Sequence, residues 1–150
     1  MATTTTVPAF LDALTAALTT ALPGVQVSRA WPGPDATNEE SVFVGDSVDD
    51  WTVDIPAIKA GRKPRQESYA VTVEAWVAKP GELRADSAAA AQVRAIALID
   101  EIDEFLADTP KLIASIQHAR LTGRGATLVP FGKGWACQAT AEITVEARLT

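Results

Sequence analysis

A chain of 150 residues, 47% hydrophobic and 21% charged, has the make-up of one globular domain and excludes both disorder along its whole length and a second independent core. Its net charge of −6 and pI near 4.7 repel phosphate backbones, which excludes general nucleic-acid binding. With Cys137 as the only cysteine, an intrachain disulfide and a thiolate zinc cluster are excluded as well.

The opening stretch, MATTTTVPAFLDALTAALTTALPG, lacks the basic start of a signal peptide and carries Asp12 inside its apolar run. A soluble protein made inside the cell is therefore expected. No run approaches the roughly 18 to 20 uninterrupted apolar residues that span a bilayer. Phe10, Leu14, Leu18 and Leu22, with Leu11 and Ala21 beside them, recur at spacings of three and four and predict an amphipathic helix. Thr6 is the expected cap, Pro8 falls in the first turn, and Pro23 and Gly24 stop the helix. Val25, Val27 and Arg29 in VQVSRAW, then SVFVGD, predict two strands of a hairpin. Their connection, about ten residues long, exceeds ordinary hairpin loops and is a candidate binding loop. Pro32, Gly33 and Pro34 shape it, and Asp35, Glu39 and Glu40 keep it soluble.

The next segment, DSVDDWTVDIPAIKAGRKPRQ, puts Asp46, Asp49, Asp50 and Asp54 before Lys59, Arg62, Lys63 and Arg65. Trp51, Val53 and Ile55 alternate as in an edge strand. Pro56 and Pro64 forbid a central strand around the basic half, so residues 56–66 are expected to form an exposed loop or arm. In ESYAVTVEAWV, Tyr69, Val71, Val73, Ala75 and Val77 share one face, while Ser68, Thr72, Glu74 and Trp76 share the other. That two-residue period predicts a central strand.

ADSAAAAQVRAIALIDEIDEFLADTP is the longest predicted helix, with Val93, Ile96, Ile99, Ile102 and Leu106 as its apolar stripe and Pro110 as its stop. Asp100, Glu101, Asp103 and Glu104 then make a solvated outer face. A strand is expected at 116–121, followed by glycines that break the chain into turns or a hairpin. The last strand alternates Ala139, Ala141, Ile143, Val145, Ala147 and Leu149 against Thr140, Glu142, Thr144, Glu146 and Arg148. Helix, strands, helix, strands is the order of an α+β single domain spanning residues 1–150, its mixed or antiparallel sheet packed against two helices on one side.

Catalytic patterns are weak. His118 is the only histidine, and no G-x-S-x-G elbow accompanies it. Gly132 and Lys133 invite a phosphate-loop reading, but that loop needs Gly at 127 and Ser or Thr at 134, where this chain has Thr127 and Gly134. The aspartates at 46, 49, 50 and 54 lack the ligand alternation of a calcium loop. No catalytic residue, metal ligand or cofactor is assigned. What remains is an acidic stretch followed closely by a basic one, an arrangement that copies in head-to-tail contact neutralise for one another.

In size and element order the whole chain resembles the tail-terminator or tail-completion proteins of long-tailed bacteriophages. The residues that carry the resemblance are AFLDALTAALTTALPGVQV, RAWPGPDATNEESVFVGD, ESYAVTVEAWV, AAAAQVRAIALIDEIDEFL and ATAEITVEARLT. The resemblance implies a structural virion protein of the siphovirus neck, without an enzymatic step, that assembles in the host cytoplasm. Members of that family form hexameric rings that cap the tail tube and face the head-side connector, with DNA passing through the ring. A head-to-tail adaptor shares this logic, and a small-molecule-binding or enzymatic α+β domain is the alternative from another class. The residues expected at interfaces are Lys59, Arg62, Lys63 and Arg65, the aspartates Asp46, Asp49, Asp50 and Asp54, and the loop acids Asp35, Glu39 and Glu40.

Overall fold

The first helix, α1 (Val7–Ala21), starts at Thr6, whose carbonyl accepts the Phe10 N–H at 2.8 Å, and ends where the Leu22 N–H reaches the Leu18 carbonyl. Phe10, Leu11, Leu14 and Leu18 are buried as the spacing predicts, joined by Val7, whereas Ala21 is exposed. The computed structural model describes residues 4–34, 37–55, 64–79 and 85–149. After α1 come β1 (Gln26–Arg29), β2 (Glu40–Asp54), β3 (Arg65–Lys79), α2 (Ala85–Asp108), β4 (Ile116–Phe131) and β5 (Gly134–Leu149). They build one five-stranded mixed sheet in the order β1-β2-β3-β5-β4.

β3 is central, antiparallel to β2 on one side and to β5 on the other. Its alternation is the predicted one: Tyr69, Val71, Val73, Ala75 and Val77 are buried in the core that both helices cover. Val71 lies opposite Ile143 and Val73 opposite Ala141, so neighbouring strands present their small and branched residues to the same side. α1 packs over β1 and β2, while α2 packs over β3, β5 and β4.

Several expectations are corrected. β1 and β2 do not form a hairpin: they run parallel, with Gln26 beside Ser41 and Arg29 beside Val44. The chain reverses at Ala30, held at φ 57°, and residues 30–39 carry it back to the start of β2. Strand periodicity reports which face a side chain takes and is silent on strand direction. Thr6 does not cap α1 with its side chain. The Thr5 hydroxyl accepts the Val7 N–H instead, and the Thr6 hydroxyl is drawn to the buried carboxylate of Glu67.

The stripe on α2 is also shifted. Ala88, Ala91, Ala95, Leu98, Ile99, Ile102 and Leu106 are buried, whereas Val93 is 68% exposed and Ile96 43% exposed. Steps of three alone rotate off a helix face, and the buried core here holds Ala91 and Ala95 of the helix together with Ala75, Ala139 and Ala141 of the sheet. The acidic outer face is partly paired, since Arg124 of β4 bridges Asp100 and Asp103. Finally, the strand expected at 116–121 continues through Gly123 and Gly125 to Phe131, and Gly132 and Lys133 form the tight turn into β5. Among the described residues no helix is long and apolar enough to cross a membrane.

Candidate functional site

The face of the sheet away from the helices carries a cleft of about 420 Å³. Its floor comes from the residues that alternate out of phase with the core: Phe43 of β2, Glu74, Trp76 and Ala78 of β3, and Gln138 of β5. Register brings them together, with Phe43 opposite Glu74 and Trp76 opposite Gln138. Phe131, at the end of β4, closes one side by an edge-to-face contact with Trp76, ring centres 5.3 Å apart.

The opposite wall is the returning loop, residues 30–39, which contributes Trp31, Pro34, Thr37, Asn38 and Glu39. Its described residues are held by polar contacts. The Trp31 N–H donates to Asp46 at 2.9 Å, and the Trp31 indole N–H donates to the Thr37 hydroxyl at 3.1 Å. That hydroxyl in turn donates to the Gly33 carbonyl at 2.7 Å, and the Asn38 N–H reaches the Gln26 side chain at 2.7 Å. Gly33, at φ 101°, takes a left-handed turn that other residues resist.

Three carboxylates, Glu39, Asp46 and Glu74, line this aromatic cleft. Burial pushes the Glu74 carboxyl up and the charge of Asp46 adds to the rise, while a hydrogen bond from Gln138 offsets part of it. Among the described residues none that lines the cleft is a cation. The chemistry on offer is a set of acidic acceptors under aromatic faces, suited to a positively charged group with an apolar stem.

The residues singled out from the sequence divide. Asp46 and Glu39 line the cleft. Glu40 is the first residue of β2 and pairs with Arg94 of α2 at 2.5 Å, so it braces the fold rather than a recognition loop. Asp49, Asp50 and Asp54 are strung along the far half of β2, all exposed, with Asp49 accepting from the Ser47 hydroxyl and Asp50 at a bulge with φ 51°. Arg65 is not part of an arm: it opens β3 opposite Leu149. Gln66 likewise belongs to β3, opposite Asp54 and Arg148. Lys59, Arg62, Lys63 and Asp35, with most of the expected arm, lie outside the described residues. His118 stands on β4 with Nε2 at 3.6 Å from Glu146. Among the described residues no group of three or more His, Cys, Asp or Glu side chains is placed to hold a metal ion.

Trp31, Phe43, Glu74, Trp76, Phe131 and Gln138 were not anticipated as a site. A signal for them existed in Trp76, a large aromatic on the strand face opposite the core stripe, where a solvated residue is ordinary. No family model matches the chain, and no curated protein matches it in sequence.

Proposed function

We propose that the chain is a ring-forming structural protein of the tail-terminator kind, closing with copies of itself at the neck of a long-tailed phage. In this reading it caps the tail tube on one side and meets the head-side connector on the other. The subunit number of six, the virion location and the absence of an enzymatic step follow from the family resemblance.

The observation that carries the reading is the far half of β2. β1 covers β2 only from Ser41 to Val44, so beyond that point its outer edge has no partner strand among the described residues. Trp51, Val53 and Ile55 are exposed there by 51%, 47% and 52%, interleaved with Asp49, Asp50 and Asp54. A long strand edge that combines unpaired backbone groups with exposed apolar side chains is a surface for association. The far edge of the sheet, β4, is different in sequence and bears Arg120 and Arg124. Unlike edges favour head-to-tail contacts, which close into rings when the rotation permits.

Light scattering after size exclusion and negative-stain images, alone and with purified tail tubes, test this reading. Rings of several subunits seated at tube ends are expected. A monomer at every concentration that ignores tail tubes overturns it, and rings that bind connectors but not tubes favour a head-to-tail adaptor. The Asp46–Glu74 pair supports a second reading, a small-molecule-binding or enzymatic domain. Turnover in a substrate screen that disappears in Glu74→Gln, with the fold intact, would favour that one.

A further inference from the structure

The geometry points to the aromatic cleft as a socket for the basic segment around Lys59, Arg62 and Lys63 of a second copy of the chain. This inference rests on the self-associating reading above and names the contact through which it works.

The socket offers carboxylates to a cation, and none of its described lining residues supplies one. Asp46 and Glu74 repel each other within it, and a positive group brought in from outside the lining residues relieves that repulsion without protonating Glu74. Trp31, Phe43, Trp76 and Phe131 surround the carboxylates. Aromatic faces attract ammonium and guanidinium groups and also cover the aliphatic stems of lysine and arginine. A bare metal ion would gain nothing from four aromatic rings and prefers several oxygen ligands. A cationic side chain on a peptide uses the carboxylates and the rings together.

Chain length decides whose cation it is. The segment is anchored after Ile55 and before Arg65, and Asp54 pairs with Gln66, so both anchors are at one end of the β2–β3 pair. Glu74 is nine residue steps along β3 from Arg65, about 30 Å at the rise of a strand. Lys59 is four steps from Ile55, and Arg62 and Lys63 are three and two steps from Arg65, reaches of at most about 14, 11 and 7 Å even when fully extended. A side chain adds only several ångströms to these. Asp46 lies between the Val44–Val73 and Val48–Val71 pairs, about 23 Å from the anchors and at the limit of an extended Lys59, while Glu74 lies beyond it, so a cation seated between both carboxylates comes from a neighbouring copy. The acidic lining and the basic segment occur on every copy, and the anchors of that segment stand about nine β3 steps from Glu74, which allows the head-to-tail complementarity of a heterologous contact.

The test uses a fluorescent peptide of residues 56–66 titrated into dilute full-length protein, together with light scattering of the intact chain. Saturable binding is expected, weakened about tenfold or more in Asp46→Asn/Glu74→Gln, and lost when the peptide's four cations are replaced by glutamate. Mixing Thr37→Cys protein with Arg62→Cys protein should give a disulfide-linked pair on a non-reducing gel. Rings that persist in Asp46→Asn/Glu74→Gln and yield no linked pair overturn the socket while leaving the ring reading in place. A monomeric protein that nonetheless binds the peptide through Asp46 and Glu74 overturns the ring and keeps the socket. A peptide that does not bind, or whose binding ignores the double substitution, overturns the socket, as does equal affinity for a scrambled basic peptide, which would assign the cleft to another protein.

Discussion

Thr6 and Glu67 are 61 positions apart, yet Thr6 gives Glu67 Oε2 both its backbone N–H at 2.8 Å and its hydroxyl at 2.7 Å. The Thr5 hydroxyl and the Trp51 indole N–H, at 2.9 Å, donate to Oε1, so one fully buried carboxylate ties the start of α1 to β2 and β3. Desolvation pushes its carboxyl up, and the donated hydrogen bonds outweigh it, leaving it below the ordinary value. Glu67→Ala strands these donors in a closed site and is expected to cost about 3 kcal/mol, read from urea denaturation. Loss of less than about 0.5 kcal/mol would show that the knot is not structural.

The same carboxylate sets an acid limit. Because its folded pKa is lowered from 4.5, the unfolded chain takes up the proton first. The stabilisation is present above pH 4.5 and drains away as pH falls through the lower folded value. Melting temperature should drop through that window, and Glu67→Gln, which cannot titrate, should flatten the drop after its own loss of stability. An unchanged slope would assign acid sensitivity to other carboxylates.

Gly45 and Gly24 have nearly equal left-handed backbones, φ +80° and +79°, but a Cβ on Gly45 would stand 2.8 Å from Leu11 Cδ2, whereas one on Gly24 meets nothing within 4 Å. Gly24→Ala is expected to cost about 1 kcal/mol from backbone strain alone, and Gly45→Ala about 2 to 4 kcal/mol because a core side chain must also move. Equal losses in chemical denaturation would mean that Leu11 repacks freely.

On α2, Leu98 is fully buried while Val93 is exposed. Leu98→Ala should cost about 2 to 5 kcal/mol, and Val93→Gln should stay within about 0.5 kcal/mol. A large loss from Val93→Gln, measured at a concentration where the protein is monomeric, would restore the stripe that steps of three suggest.

If the chain assembles through charge, replacing Arg62, Lys63 and Arg65 by glutamate should shift the oligomer toward smaller species at low salt. Reversing Asp46, Asp49, Asp50 and Asp54 as well should partly restore it. Exposed pairs contribute only about 0.2 to 1 kcal/mol each, so the effect depends on many acting around a closed assembly. An oligomer whose mass ignores both salt and the reversals, measured by light scattering, would remove charge from the interface.

The sequence by itself determined the two helices, the central strand and the last strand, because a core-facing stripe at Phe10, Leu14 and Leu18, or an alternation at Val71, Val73 and Ala75, reports burial directly through helix and strand periods. Only the tertiary structure decided the rest. Whether β1 runs with or against β2 depends on the path of residues 30–39, which no periodicity records. The face of α2 that is buried, through Ala88, Ala91 and Ala95 rather than Val93 and Ile96, is set by where the helix lies on the sheet, which its own period does not record. Trp76 has the local pattern of a solvent-facing strand residue, and Glu67 is a charged residue in phase with the core stripe of Tyr69, Val71 and Val73. Their real surroundings come from Thr6, 61 residues away, and from Phe131, contacts between segments that only meet when the chain is folded.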